Sequence, residues 1–281
     1  MPLSNSWGIK MNSPAKPFVS QELTWTPFFS LLKREVQRFL KVAVQTLLAP
    51  MINSGLYLLI FGLSLGSRIQ ISDGTSYLSF LIPGLIMMGC LNNAFSNSSS
   101  SVVGSKYGGE LEDYKAAPLS SQQIIWAISL GGLFRGLLVG LVTFIVGEAF
   151  LYFQNGEFLS IQHPVLLVFF LTVGGLSFAK LGLSAAFWAK SFDHLAAFGT
   201  FILMPLIYLG GVFYSLEHLS PFWQTLTQFN PLFYFINGVR YSILGASDVN
   251  VWMAFGISLI MLLLFHGFAL FSLKGGSFNR W

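Results

Sequence analysis

Charge is scarce in this chain. Asp, Glu, Lys and Arg make up 9% of its 281 residues, while 54% are hydrophobic and 29 are Phe. A soluble domain carries about a quarter charged residues, so no water-compatible surface can cover this polypeptide, and it reads as an integral membrane protein. Cysteine is nearly absent: Cys90 stands alone in an apolar stretch, which excludes a disulfide framework and a thiolate metal site. No G-x-x-x-x-G-K-[ST] loop is present, so the chain does not hold ATP by that device. His163, His194, His218 and His266 lie far apart and give no metal-binding spacing, and there is no G-x-S-x-G elbow. The formal charge of +4 is too small to suggest nucleic acid. Residues 1–25 have Pro and polar side chains but no apolar signal core, and they read as an uncleaved cytosolic tail with no assigned role.

A hydrocarbon core of ~30 Å needs roughly 20 helical residues to cross it. Six stretches meet that length: residues 46–65, 77–98, 124–150, 165–188, 195–214 and 251–273. Alternating strand patterning is absent, and lipid tolerates no unpaired backbone, so each is read as a helix. The expected fold is all-α, with six transmembrane helices and both termini on one side. Positive charge sets the orientation. With the N-terminus inside, the cytoplasmic parts hold Lys10, Lys16, Lys33, Arg34, Arg38, Lys41, Lys106, Lys115, Lys190, Lys274 and Arg280, against Arg68 and Arg240 on the opposite face. Residues 106–121, polar and acid-bearing between two apolar stretches, then lie in the cytosol. Their carboxylates Glu110, Glu112 and Asp113 suit a solvated or docking face better than an acid–base pair.

Before the first span, Thr26 followed by Pro27 is a helix start signal. Ser30, Arg34, Gln37, Arg38, Lys41 and Gln45 recur at three- and four-residue steps, which predicts a basic amphipathic helix in the membrane interface. After the fifth span, Ser220–Pro221 and Asn230–Pro231 predict two short helices, too short to cross and too aromatic for a free loop. They fit a re-entrant or interfacial pair on the outer face, or an ordinary aromatic belt.

Inside the second span, Asn92, Ser96, Ser99 and Ser100 share one face, with Asn93 and Asn97 beside it. Polarity in lipid must face protein or a wet path, so the stripe is either packing glue or substrate-facing. Gly132, Gly136 and Gly140 form a small-xxx-small ladder in the third span. Arg135 sits between them and is read as the one cation able to reach the bilayer interior. It is eleven residues past Ile124, roughly 16 Å along the helix, and either snorkels to the inner interface or pairs with Asn93 and Asn97. A membrane enzyme using Arg135, Asn93 and Glu148 would need those groups to converge, whereas Arg135 and Glu148 lie ~20 Å apart on a continuous helix.

The basic pre-helix, YLSFLIPGLIMMG, GGELEDYKAAPLSS and above all PLIYLGGVFYSLEHLSPFWQTLTQFNPLFYFINGVRYSILG resemble the permease subunits of type-2 ABC exporters, in their YadH-like inner-membrane branch. The resemblance spans roughly residues 27–273. It implies a type-2 transmembrane domain over residues 26–273, with residues 274–281 as a cytosolic tail. It also implies that residues 106–121 are the coupling segment that docks on a separate ATPase, through Glu110, Leu111, Glu112, Asp113, Tyr114, Lys115 and Pro118. Residues 215–241 become the external re-entrant region. The chain would be half of an exporter, a homodimer in the bacterial inner membrane, with ATP and Mg bound by the partner ATPase and no cofactor of its own. The cargo path would run along Asn92, Asn93, Ser96, Asn97 and Ser100, with Phe201, Pro205 and Tyr208 of the fifth span as its apolar counterpart. A passive channel, or a non-transporting membrane partner of a cytosolic protein, is the alternative that the residues leave open.

Overall fold

The structure, a computed structural model, describes residues 25–64, 76–111, 114 and 117–275. The expectations placed on residues 1–24, Arg68, Glu112, Asp113, Lys115 and residues 276–281 lie outside the described residues. Every regular element among the described residues is helical. In chain order these are α1 (Trp25–Leu40); α2 (Ala43–Tyr57), continued by a π-helical stretch Leu58–Ser64; α3 (Tyr77–Gly108); α4 (Ser121–Asn155); and α5 (Pro164–Trp188). Then follow α6 (Phe192–Phe198), joined through π-helical Gly199–Leu203 to α7 (Met204–Tyr208), and α8 (Pro221–Gln228), α9 (Pro231–Leu244) and α10 (Val251–Gly275).

Local chemistry explains many of the boundaries. Ser76 Oγ accepts from the Ser79 amide at the start of α3. Ser120 and Gln123 exchange bonds in a capping box that opens α4. The Ser220–Pro221 and Asn230–Pro231 signals open α8 and α9, and Asn230 Oδ1 accepts from the Leu232 amide. Gly109 and Gly156 end α3 and α4 in the left-handed conformation that a side chain resists.

Among the described residues, five helices are long and apolar enough to cross a membrane: Ala43–Ser64, Tyr77–Gly108, Ser121–Asn155, Pro164–Trp188 and Val251–Gly275. The expected fifth span, residues 195–214, is instead a shorter apolar helix, Phe192–Tyr208. It stops at Gly210–Gly211, where Gly211 takes a positive φ of 79°. Two helices exceed their expected bounds. With 32 and 35 residues, α3 and α4 measure about 48 and 52 Å, well beyond the ~30 Å hydrocarbon layer. In the polar run of α3, hydroxyls are satisfied within the bundle by bonding back to the helix's own carbonyls, Ser99 to Ser96 and Ser100 to Asn97.

The centre of the bundle is α3, packed on α4, α5 and α9. Within its most apolar window 72% of residues are buried, against 22% for α2 and 17% for α10, so the latter two form the outer faces. One end of the bundle carries α1, the start of α4 and the ends of α3, α5 and α10, and is called here the elbow end. Its apolar cluster joins Phe28 and Leu31 of α1 to Val102, Ile125, Leu183 and Leu273. At the far end, α9 packs on α3, α5 and α10, while α8 before it is largely exposed.

Candidate functional site

At the elbow end the polar segment is held by its apolar side. Leu111 and Tyr114 are buried in the cluster with Phe28, Leu31, Val103 and Ile124. In the single chain these two side chains, expected to take part in docking on an ATPase, thus anchor the segment to the bundle. Arg34 of α1 donates to Tyr114 Oη, pairs with Glu110 at 3.3 Å and stacks over the Tyr114 ring. What faces outward is Glu110, Pro118 and the stacked pair Tyr107–Phe192, centroids 4.8 Å apart. Lys106, expected in water, is only 1% exposed. Its Nζ donates to the carbonyls of Ala186, Phe187 and Ala189, so it caps the end of α5, where carbonyls lack amide partners and the helix dipole favours a cation.

Behind the segment, α1 drives an acid into the bundle. Glu35 is fully buried; it accepts from Ser101 Oγ at 2.8 Å and lies 3.3 Å from Arg34 and 3.5 Å from Arg38. Gly131 of α4 makes room, since a Cβ there would sit 2.6 Å from Glu35 Cβ. Arg38 in turn donates to Ser100 Oγ at 3.1 Å and to the Asn97 carbonyl at 2.6 Å. Burial lowers the pKa of Arg38 despite the opposing pull of Glu35, so one carboxylate does not fully offset its desolvation. The α1 helix is thus basic and amphipathic as expected, with a buried acid that its polar periodicity did not reveal.

The polar stripe of α3 divides between two places. Asn92 and Asn93 line a cavity between α2, α3, α4 and α7, together with Asn53, Tyr57, Thr143 and Tyr208. The Tyr57 and Tyr208 hydroxyls approach to 3.4 Å across its mouth. Amides and hydroxyls are its polar lining, and among the described residues no Asp, Glu, Lys or Arg lines it. Ser100 lies lower, in a second cleft beside Arg38. Ser96 is exposed between the two, and Asn97 is fully buried, its side-chain amide without a hydrogen-bond partner among the described residues. Phe201 and Pro205 are exposed on the bundle surface and line neither. The structure therefore brings Asn92, Asn93 and Tyr208 together, and separates them from Ser100.

Arg135 makes no hydrogen bond to Asn93 or Asn97 among the described residues; Asn93 Nδ2 bonds instead to the Gly89 carbonyl, and Arg135 Nε has no hydrogen-bond partner. Its electrostatic neighbour is Arg38. It is also not the one buried cation of the spans. Lys180 of α5 is 1% exposed, with Nζ 3.8 Å from the Trp126 ring centroid, and His266 lies on the same indole at 5.6 Å. A lysine inside residues 165–188 is visible in the sequence and was the available signal. At the far end Arg240 is buried. It donates to the Gly211 carbonyl at 2.8 Å, lies 3.6 Å from Asp248, and stacks 3.8 Å over Phe80, which ties the Gly-Gly break to α9 and α3. Glu148 accepts from the Leu159 amide at that same end, so an Arg135–Asn93–Glu148 constellation does not form.

Comparison with known proteins gives the family. The chain is 39% identical over 244 residues to the inner membrane transport permease YadH of Escherichia coli K12, covering 87% of this chain and 93% of that protein. It is 24% identical over 248 residues to nodulation protein J of Rhizobium leguminosarum bv. viciae, covering 86% and 90% respectively. Residues 26–244 match the family model described as ABC-2 type transporter. The span from the start of α1 to the end of α9 is thus one such domain, and the chain is a transport permease of the ABC-2 family, a multi-pass protein of the inner membrane.

Proposed function

We propose that this permease is the membrane half of an ATP-driven exporter: two copies enclose the path, and a separate ATPase chain carries ATP and Mg. The carrying observation is the polar cavity on α3, placed within the bundle of a transport permease and bounded by Asn92, Asn93 and Tyr208. Such a lining suits passage of a polar group past apolar walls. In this reading Phe192–Tyr208 completes six crossings as a helix of about 25 Å, and α8 and α9 are re-entrant on the outer side. The elbow end is cytosolic, as the excess of Lys and Arg there favours. Residues 106–121 are the coupling segment, meeting the ATPase with Glu110, Pro118 and Tyr107 outward while Leu111 and Tyr114 hold it to the bundle.

The test is reconstitution of the permease with the ABC ATPases of its own cell. A complex of two permeases and two ATPases, with ATP-dependent movement of cargo into inside-out vesicles, is the expected result. Flux without ATP would point to a passive channel, and an active complex with one permease would remove the dimer. Reporter tags at residue 1 and after Trp281 are expected in the cytosol, and tags after Gly156 and Glu217 outside. A cytosolic tag at Glu217 would overturn the six-span count.

A further inference from the structure

Lys180 is a buried cation with no acid to balance it. It lies on α5, eight residues before Trp188, roughly 12 Å inside the elbow end of that helix. The 25 residues of α5 measure about 37 Å against a ~30 Å hydrocarbon layer, so the ammonium stands below headgroup depth. Neither α5 nor α10 carries an Asp or Glu, and the one acid of α4, Glu148, is about 33 Å along the helix from Trp126. Among the described residues Lys180 Nζ makes no hydrogen bond or ion pair, although an ammonium has three protons to give. Its partner is the Trp126 indole, with Nζ 3.8 Å from the ring centroid. His266 of α10 meets the same indole at 5.6 Å, and its Nδ1 is buried without a hydrogen-bond partner among the described residues. Two unsatisfied nitrogens thus flank one ring of α4, one from α5 and one from α10. Towards the elbow end, Trp188 Nε1 donates to Ser272 Oγ at 2.9 Å and joins α5 to α10. The seam between α4 and α10 is thin by comparison, because α10 rests chiefly on α5 and α9, and Trp126 and His266 are both only half-buried.

We infer that Lys180 and His266 form an intramembrane site for the carboxylate of a single-chain amphiphile, a long-chain fatty acid in chemical class. An unpaired ionisable group inside a span marks a place for a partner of opposite charge. A carboxylate brings the one negative charge that balances one lysine, and its two oxygens reach Nζ and an Nδ1–H together. The acyl chain suits the apolar outer face of α10, and it enters through the thin seam beside α4. A phospholipid phosphate is bulkier and stays at the headgroups, farther out than Lys180. Bound in this way, the carboxylate ties α10 to α4 and α5. Thr143, which lines the neutral cavity, is about 25 Å along α4 from Trp126. The ligand of this site is therefore separate from whatever the cavity holds, and its binding does not rest on the exporter reading.

The experiment uses the delipidated full-length permease in detergent, with bound ligand counted by native mass spectrometry. Oleate is the probe and oleyl alcohol its uncharged counterpart. Oleate is expected to bind and to raise the thermal midpoint, and oleyl alcohol to do neither. Lys180→Met keeps the length of the side chain and removes the charge. It is expected to lower oleate affinity about tenfold, the scale of a lost charge-assisted hydrogen bond, and to melt no lower than the parent without ligand. His266→Leu is expected to lower the affinity about threefold, the scale of one neutral hydrogen bond. Lys274, exposed at the end of α10, supplies the control: Lys274→Met is expected to bind oleate as the parent does. Equal binding of oleyl alcohol overturns the site, since the charge then has no part in it. Equal loss in Lys274→Met assigns the binding to surface attraction and overturns it as well. If Lys180→Met melts lower and still binds oleate, the lysine serves only to pack against Trp126 and the inference fails. Competition by dioleoyl phosphatidic acid would put the anion at headgroup depth and overturn the carboxylate assignment.

Discussion

Gly136 and Gly140 stand one turn apart on α4 but differ in what a methyl group would meet. At Gly136 a Cβ would lie 2.6 Å from the Cys90 carbonyl of α3, whereas at Gly140 the nearest atom is Ile86 Cγ2 at 3.6 Å, an ordinary contact. The ladder is therefore a close approach at Gly132 and Gly136 and an open seam at Gly140. Gly136→Ala is expected to cost about 1–3 kcal/mol by forcing α3 and α4 apart, with Gly140→Ala within about 0.5 kcal/mol of the parent. Thermal unfolding in one detergent compares them, and equal losses would show that the ladder is not the contact. Glu35 gives a second test at this scale. Breaking a fully buried ion pair costs about 3–5 kcal/mol, and the half-exposed arginines reduce that, so Glu35→Gln is expected to cost about 2 kcal/mol. A Glu35→Gln protein as stable as the parent would mean that the pairs with Arg34 and Arg38 add nothing to stability.

The polar segment after α3 is an element held on one side and open on the other, which separates two kinds of variant. Leu111 is 1% exposed, so Leu111→Ala is expected to loosen the segment by about 2–3 kcal/mol, read as faster amide exchange over residues 108–120 with the spans unaffected. Glu110 forms an exposed pair with Arg34 worth about 1 kcal/mol or less. Glu110→Lys is expected to leave that exchange unchanged and to weaken ATPase co-purification. If it instead loosens the segment as much as Leu111→Ala does, Glu110 belongs to the anchor rather than the docking face. The same element shows where sequence reading works and where it stops. Ser120 with Gln123, and Asn230 with Pro231, announce helix starts because the partners are neighbours in the chain, and the long crossings are legible from length and apolarity. Lys106, Glu35 and Lys180 were misread or passed over because each is buried against atoms of other helices: the α5 carbonyls, Ser101 and Trp126. Local polarity assigns such residues to water. At Gly210–Gly211 the signal was present in two adjacent glycines, but the surrounding apolar run concealed a break that Arg240 fixes from α9.

At the scale of the whole molecule, the distribution of exposed residues argues for a second copy. The outward sides of α2 and α10 are apolar, as lipid requires, with Val44, Leu48, Ile52, Leu263 and Phe271 all exposed. The face that carries Ser96 differs. There an exposed hydroxyl and the half-buried Asn92 and Asn93, in the middle reaches of α3, lie near Tyr208 at the end of α7, which is 43% exposed. Hydrocarbon against amides and hydroxyls leaves their hydrogen bonds unmade, whereas a twin chain or a wet path between twins satisfies them. Cysteine placement reads this directly, because Cys90 is fully buried and is the chain's single cysteine, so a Cys90→Ala background is free of competing thiols. In that background Ser96→Cys and Tyr208→Cys are expected to form dimers with short thiol crosslinkers in native membranes, while Leu263→Cys on α10 stays monomeric. In the proposed dimer this face lines a wet path, so both are also expected to react with water-soluble reagents. Crosslinking that is equal at Leu263→Cys, or labelling of Ser96→Cys by lipid-phase reagents alone, would place this face against lipid and remove the path between two copies.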